Sequence, residues 1–356
     1  MDSEVAMQTE ARAVPRSLAL GTRIARELAP HEVFLLSMAA LFSLIALVAA
    51  ARVTEWPQVL LRMAIASSLI LIVNFWSSSP AIKRSINPWP RRVRLLYLFP
   101  LIPIFFKTAE YISYPIHGRN FDNLFIAADR LMFGLNPTYW LYQHIPAWPA
   151  LTEYLMICYS LFYFLPLAVA VELYRRARKE ESLPFHTFDW AETNSTGRLE
   201  PVKQAVFIIV YGFLLSYLSY LLLPSIGPRF TLHNFFDLPK ELPGLWLTEP
   251  LRQLLDRGEN IIPGMTLAEI LHKVTRDAFP SGHADITLLT ILVAFRFKAK
   301  VRWYVTIIGL SLIFSTVYLR YHYVIDLVGG ALLAIFTLYT WPWVYQKMVE
   351  IKARFS

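Results

Sequence analysis

The sequence is poor in cysteine and in charged residues. Only one cysteine, Cys158, occurs among the 356 residues, which excludes an intrachain disulfide and any cysteine-rich metal site. Charged residues make up 17% of the chain and hydrophobic residues 56%, whereas an ordinary soluble domain carries about 25% charged residues. The composition therefore indicates a membrane protein. Internal repeats, heptad arrays and low-complexity tracts are also missing from the sequence.

Long apolar runs make up much of the sequence. A helix needs about 17–25 mostly apolar residues to cross a bilayer. Runs that approach this length occupy 32–50, 59–77, 93–114, 151–173, 203–223, 281–296, 303–319 and 325–346. They predict an all-α, polytopic membrane bundle of about eight transmembrane helices. Residues 1–31 are polar and contain arginines, so we expect a cytoplasmic tail there and no removable signal peptide.

The net charge of +8 follows the predicted topology. Most lysines and arginines lie in the two terminal tails and in alternate connections, which predicts cytoplasmic termini. Nucleic-acid binding would require one basic patch, so we expect no nucleic-acid partner. We expect an integral protein of a plasma or inner membrane whose partners are the bilayer and a lipid substrate. The sequence leaves the oligomeric state open.

Two segments in the last third of the chain have the composition of a catalytic site. The first is Phe279-Pro-Ser-Gly-His283, and the second runs from Ser315 through His322 to Asp326. On a helix, Asp326 and His322 would share one face because four residues separate them. A carboxylate that orients an imidazole makes one ring nitrogen a nucleophile or a base. With Arg229, both histidines are predicted to lie on the non-cytoplasmic face.

Two predicted non-cytoplasmic loops are unusually long. Residues 115–150 contain apolar residues at helical spacing, which predicts an amphipathic helix along the membrane surface. An ordinary loop is an equally good interpretation of that segment. Residues 225–280 form the longest loop, and a loop of this length is more often a lid or a substrate platform than a passive connection.

The two histidine segments resemble the second and third signature motifs of the phosphatidic acid phosphatase type 2 superfamily. Tyr318, Leu319, His322, Tyr323 and Asp326 all stand where that family tends to have them. The resemblance covers roughly residues 203–346. A less specific similarity to the inositol phosphorylceramide synthases lies upstream, in the pattern Asp129-Arg130-x2-Phe133-Gly134-x2-Pro137 followed by an aromatic fourth span.

The resemblance implies a role for each matching residue. His322 would attack a phosphoester and form a phosphohistidine, and Asp326 would orient its ring. His283 would protonate the departing alcohol. The phosphoryl oxygens would be bound by Ser281, by the Gly282 amide at a helix N-terminus and by Arg229. No metal or other cofactor is expected.

The sequence departs from the family pattern at two motifs. The lysine of the first motif is replaced by Leu222, and Phe230 stands where proline is usual after Arg229. In the third motif Thr316 replaces an arginine. If the helix continues, Arg320 lies on the same face as Thr316 and could supply the missing guanidinium. Asp285 is a further candidate, either as a functional carboxylate within a span or as a residue that favours the helix dipole.

These patterns predict four regions: a tail at 1–31, an N-terminal transmembrane region at 32–202, a catalytic core at 203–346 and a tail at 347–356. The resemblance implies a phosphotransferase of the inositol phosphorylceramide synthase kind. A lipid phosphate phosphatase that uses water as acceptor is the first alternative, because both reactions share one nucleophile. A non-enzymatic transporter or scaffold with a degenerate site is the second alternative.

Overall fold

The computed structural model describes residues 27–79, 81–82, 93–94, 96–181 and 200–354. The predicted N-terminal tail lies almost entirely outside the described residues, and so does much of the basic sequence in the second and fourth connections. Within the described part of the chain the secondary structure is helical, with no strand. The prediction of an all-α fold is confirmed for these residues.

The helices follow one another with short connections in most places. In the first half they are α1 (Pro30–Val48), α2 (Trp56–Ser77), α3 (Leu98–His117), α4 (Asp122–Phe133), α5 (Pro137–His144), α6 (Pro149–Ser160) and α7 (Phe164–Glu181). In the second half they are α8 (Glu200–Ser219), α9 (Pro228–Thr231), α10 (Leu238–Glu241), α11 (Thr248–Gly258), α12 (Leu267–Lys273), α13 (Gly282–Arg296), α14 (Arg302–Tyr318) and α15 (Val324–Arg354). A 3-10 turn at Phe235–Asp237 precedes α10.

Fewer helices than predicted meet the length and hydropathy of a membrane span. In the described part of the chain, α1, α2, α8 and α15 do so, and α6 with α7 forms a fifth, bent unit. The third, sixth and seventh predicted spans are present as α3, α13 and α14. However, α13 has 15 residues and α14 has 17, while α3 contains Pro103 and Pro115 as well as Lys107 and Glu110. The count of eight spans and the orientation of the termini are not confirmed.

The fourth predicted span is not one straight helix. The axes of α6 and α7 differ by 57° at a break after Ser160. The rings of Phe162 and Tyr163 lie at this break, and both contact Phe213 on α8. A single apolar run in the sequence therefore becomes two helices, and aromatic side chains pack where they join.

The helices of the motif-bearing half pack around α13, which contacts α8, α14 and α15. Glycines permit the closest approaches. A Cβ atom added to Gly330 on α15 would lie 2.4 Å from the backbone oxygen of Ser281 at the start of α13. A Cβ added to Gly212 on α8 would lie 2.4 Å from a side-chain atom of Leu289 on α13. Small residues thus bring the two motif segments together, as in other closely packed membrane helices. We call this end of the bundle, where α13 begins and α14 ends, the motif end.

The long segment predicted as a loop at 225–280 contains several short helices. They cover α9 to α12, and the longest, α11, has 11 residues. The residues that lead into α11 are bound to α6, because both carboxylate oxygens of Glu153 accept hydrogen bonds from the backbone nitrogens of residues 245–248 at 2.6–3.2 Å. The segment is therefore an ordered cap on the motif end of the bundle. Its predicted role as a lid or platform stays a prediction.

Candidate active site

His322 lies in the short connection between α14 and α15 and is buried. Its Nδ1 atom is 2.8 Å from the carbonyl oxygen of Ala278 and 3.3 Å from Oδ2 of Asp326. Because both neighbours accept hydrogen bonds, Nδ1 is assigned the proton. The other ring nitrogen, Nε2, then carries a free lone pair. This is the protonation state that a histidine nucleophile requires.

Asp326 stands in the first turn of α15 and is fully buried. Besides facing His322, its Oδ2 atom accepts a hydrogen bond from the backbone nitrogen of Tyr323 at 2.9 Å. Its backbone oxygen accepts from the nitrogen of Ser281 at 2.9 Å. The residue therefore connects the two sequence motifs through both its side chain and its backbone.

The structure brings His283 to the same place. Its Nδ1 atom is 3.4 Å from Nε2 of His322, so the free nitrogen of one ring faces the other ring. The ring of Tyr159 stacks on His283 with centroids 4.5 Å apart, and the ring of Phe162 lies 4.3 Å away. Tyr159 lies in the last turn of α6, and Phe162 lies in the break between α6 and α7. The predicted grouping of His283, His322 and Asp326 is thus present in the geometry, while their catalytic roles remain predictions.

Ser281 and Gly282 form the start of α13. The hydroxyl of Ser281 accepts a hydrogen bond from the nitrogen of Ala284 at 3.2 Å, which makes it the N-cap of the helix. Gly282 packs so closely that an added Cβ would lie 2.2 Å from the hydroxyl of Tyr220. The turn therefore has a structural basis of its own. Phosphoryl binding by these two residues stays a prediction.

Arg229, the predicted phosphate clamp, already has two carboxylate partners. Its Nη1 atom is 2.9 Å from Oδ1 of Asp256, and its Nη2 atom contacts the carboxylate of Glu259. The rings of Phe230 and Tyr321 each lie 4.6 Å from the guanidinium carbon. With a side chain only 3% exposed, Arg229 is enclosed on its faces by rings and at its edge by carboxylates.

Burial changes the ionisation of the groups around this arginine. It raises the pKa of Glu259 to about 7, although Arg229 favours the ionised form. Burial also raises the pKa of Asp256, again against the effect of Arg229. Burial lowers the pKa of His322 to about 4, with the nearby carboxylate of Asp277 acting in the opposite direction. Near pH 7 the imidazole of His322 is therefore neutral, as a nucleophile must be.

The helix does not continue to Arg320, so the condition under which Arg320 would share a face with Thr316 is not met. Helix α14 ends at Tyr318, and Arg320 adopts a left-handed backbone conformation with φ of 68°. Its guanidinium contacts the carboxylate of Glu241 and lies 4.8 Å from the ring centre of Tyr142. A phosphate-binding role for Arg320 stays a prediction, but it no longer has the helical geometry as support.

Asp285 is completely buried in the first turn of α13. Neither of its carboxylate oxygens has a hydrogen-bond partner in the described part of the chain. The functional role and the helix-dipole role of Asp285 both stay predictions.

Two acidic residues of α4 bind the backbone of the motif segments, a role that we did not predict for them from the sequence. Asp122 accepts from the nitrogens of Ile226 and Gly227, at 3.2 and 2.9 Å, and from the Tyr323 hydroxyl at 3.0 Å. Asp129 accepts from the nitrogens of residues 324 and 325 at 3.1 and 2.8 Å, at the start of α15. Their separation by seven residues, two helical turns, was the available signal.

Asp277 was also missed. It lies six residues before His283, is half-buried and accepts a hydrogen bond from the Thr275 hydroxyl at 2.6 Å. Its charge raises the pKa of both His322 and Glu259, so it lies within electrostatic range of His322 and of one carboxylate that binds Arg229. In the sequence it is a single acid in a loop, which carries no pattern.

We find no group of three or more His, Cys, Asp or Glu side chains placed to hold a metal ion within residues 27–79, 81–82, 93–94, 96–181 and 200–354.

The fold and the site define a helical protein with apolar, membrane-compatible helices and a histidine pair backed by a carboxylate. Residues 195–340 match the profile of the PAP2 superfamily. The match contains Arg229, the 281–283 turn, His322 and Asp326, and it supports a phosphatase-type enzyme in general. No curated protein and no solved structure matches the chain.

Proposed function

We propose that this protein is a membrane-embedded enzyme that transfers phosphoryl groups of a lipid-linked phosphoester through a phosphohistidine, without a metal. The observation that carries this proposal is the environment of His322. Its Nδ1 atom faces the Ala278 carbonyl and Asp326, and its Nε2 atom faces His283. The orienting carboxylate and the proton donor of this proposal therefore each lie within hydrogen-bond distance of His322, one at each ring nitrogen.

The first half of the reaction follows from these positions. Nε2 of His322 forms a bond to phosphorus while the bond from phosphorus to the leaving alcohol oxygen breaks. A protonated His283 gives its proton to that oxygen, and Asp326 stabilises the positive charge that develops on the His322 ring. The two ring nitrogens, now 3.4 Å apart, must separate to admit the phosphoryl group.

In the second half an acceptor hydroxyl attacks phosphorus and the bond to Nε2 breaks. His283, now neutral, takes the proton of the acceptor, which returns both histidines to their starting state. Water as acceptor gives a phosphatase, and a lipid hydroxyl gives a transferase. Arg229 would bind the phosphoryl oxygens once its carboxylate partners give way.

We favour a transferase like the inositol phosphorylceramide synthases, and a lipid phosphate phosphatase is the alternative. Three features support the transferase: Leu222 in place of the first-motif lysine, the 129–137 segment, and the long ordered cap at 225–280. Asp129, which lies on α4, accepts hydrogen bonds from the first residues of α15, and the 129–137 segment therefore has a structural role next to the site. The alternation of basic residues supports an active site on the non-cytoplasmic face of the membrane.

The test uses purified protein in liposomes with phospholipids labelled in the head group. Products are separated into released phosphate, released phosphoalcohol and transferred head group, and the acid-labile phosphohistidine is trapped by rapid quenching. We expect His322→Ala to abolish all products. His144→Ala is the matched control, because His144 is exposed and its ring contacts only Trp140 within the described residues. Release of phosphate without transfer to any alcohol would establish the phosphatase alternative. Full activity in His322→Ala would refute the phosphohistidine.

A further inference from the structure

Three consecutive apolar side chains of the cap lie on the surface of the protein. Leu245, Trp246 and Leu247, between α10 and α11, are 50%, 83% and 51% exposed. Residues 243–248 contain no charged side chain. A run of exposed apolar residues is unusual on a surface that faces water, and it marks a contact with a protein or a membrane. We call residues 244–248 the apolar loop.

The backbone of the apolar loop is fixed to α6. Glu153 accepts hydrogen bonds from the backbone nitrogens of residues 245–248, and it also accepts one from the Thr248 hydroxyl at 2.6 Å. The loop is so closely wound there that a Cβ atom on Gly244 would collide with the side chain of Thr248. Hydrogen bonds to a carboxylate are among the stronger ones in proteins. The loop is therefore held around Glu153, with its three apolar side chains on the outside.

The contacts of α6 place the apolar loop beside the last turns of α14. Tyr154, which follows Glu153, has its hydroxyl 2.8 Å from the hydroxyl of Ser311 on α14. Leu310 and Phe314, on either side of Ser311 in the sequence, are 55% and 47% exposed. In a membrane helix, exposed apolar side chains of this kind face lipid. The apolar loop thus lies next to the apolar outer surface of α14.

A second exposed apolar segment lies at the same end of the bundle. Leu131 on α4 is 89% exposed. Asp129, two residues earlier, binds the first residues of α15, so α4 also lies at the motif end. Two apolar segments from distant parts of the chain therefore lie at the end where the bundle would meet a membrane surface. A tryptophan such as Trp246 is typical of that position, because its ring is apolar and its N–H is polar.

We infer that the apolar loop inserts into the head-group region of the leaflet at the motif end and binds the cap to the bilayer. The partner is the lipid surface. Insertion depends on apolar area and not on charge, since the loop is neutral and the next residue, Glu249, is exposed and pairs with Arg252. The cap then lies on the membrane surface instead of extending into water. This inference goes beyond the proposed reaction and does not depend on it.

The test locates residue 246 relative to the bilayer. Cys158, the only cysteine, is buried and is replaced by serine, and a nitroxide is attached to Trp246→Cys in the full-length protein. In phosphatidylcholine vesicles, its depth is measured by electron paramagnetic resonance from its accessibility to oxygen and to a water-soluble nickel complex. We expect the nitroxide about 5–10 Å below the lipid phosphates. Lys240→Cys, at an exposed residue of the same cap, is the matched control and should lie on the water side.

Three results with the nitroxide at 246 would overturn the inference. Greater accessibility to the nickel complex than to oxygen would place the loop in water. Protection from both reagents would mean that it packs on the protein. Spin–spin broadening that disappears on dilution with unlabelled protein would assign the loop to a contact between two copies of this chain. Phosphatidylglycerol added to the vesicles should leave the depth unchanged because the loop is neutral, and insertion that required it would contradict this mechanism.

Two further measurements guard against a cysteine variant that fails to fold. In Trp246→Phe, quenching of the tryptophan fluorescence by brominated phosphatidylcholine should decrease relative to wild type, and unchanged quenching would refute the insertion. In Glu153→Gln, the nitroxide at 246 should become more mobile, because the backbone of the loop loses part of its acceptor. None of these measurements needs turnover, so failure of the phosphohistidine reaction would leave their outcome unaffected.

Discussion

The replacement of Asp326 by asparagine separates two effects that a carboxylate has on a catalytic histidine. One effect fixes the proton on Nδ1, and the other stabilises positive charge on the ring. In this site the Ala278 carbonyl lies 2.8 Å from Nδ1, closer than Oδ2 of Asp326 at 3.3 Å. The carbonyl does not change in Asp326→Asn, so Nε2 of His322 should keep its lone pair.

The expected loss then comes from the missing charge alone. A hydrogen bond to a charged partner contributes about 1.5–3 kcal/mol. At 1.36 kcal/mol per tenfold in rate, phosphohistidine formation should slow by about 10- to 150-fold. Where the same exchange in a serine protease changes the tautomer, the rate falls by about 10⁴-fold. The structure therefore predicts a loss well below that value.

The assay is rapid-quench measurement of phosphohistidine formation at saturating lipid, with His322→Ala as the inactive reference. Asp237→Asn is the matched control, because Asp237 is half-buried, lies outside the site and pairs with Asn234. A loss of about 10⁴-fold or more in Asp326→Asn would refute the reasoning, since it would mean that the Ala278 carbonyl does not hold the tautomer.

Three further predictions concern stability and are measured by thermal unfolding in detergent. Gly330→Ala should lose about 1–3 kcal/mol, because the new Cβ meets backbone at 2.4 Å, while Gly258→Ala, with nothing within 4 Å, should be close to neutral. Glu153→Gln should lose about 1–3 kcal/mol and speed proteolysis at 243–248, because one carboxylate oxygen becomes an NH2 group, which cannot accept from the backbone nitrogens bound there. The pKa of Glu259 is raised from 4.5 in the unfolded chain to about 7 in the folded protein. Between pH 4.5 and 7 the folded protein therefore keeps a proton that the unfolded chain has released. The free energy of unfolding should fall as the pH rises through this range, by at most about 3 kcal/mol. Glu259→Gln should remove this slope. Glu249→Gln is the control for both glutamate variants and should keep the wild-type stability and the wild-type pH slope. A slope that persists in Glu259→Gln would contradict its assignment to Glu259.

Local spacing was sufficient to predict the histidine site. His322 and Asp326 are four residues apart, and their contact needs only the turn that starts α15. The approach of His283 follows from the packing of α13 on α15, which Gly330 permits. Most helix positions were also predictable, since every apolar run except the fourth, which divides into α6 and α7, corresponds to one helix.

The rest depended on contacts that are distant in sequence. The pairing of Arg229 with Asp256 and Glu259 crosses 27 and 30 residues, and no local pattern specifies it. The end of α14 at Tyr318 depends on the backbone nitrogens of residues 321 and 322, which turn back to the Thr316 carbonyl. The sequence alone does not specify that turn, and a helix that continued to Arg320 was therefore expected. The bend of 57° after Ser160 interrupts an apolar run as well, but here the sequence held a signal, because Pro166 in the first turn of α7 cannot donate to the carbonyl of Phe162.

The hydrogen bonds of Asp122 and Asp129 bear on how this chain can be divided. Both residues lie upstream of the segment at 195–340 that matches the superfamily, yet they supply acceptors to four backbone nitrogens within it, at residues 226, 227, 324 and 325. A fragment limited to the matching segment would leave those donors unpaired close to His322. The half of the chain that contains the histidine pair therefore depends on α4, and a chimera with a PAP2 superfamily protein should place its junction before α4.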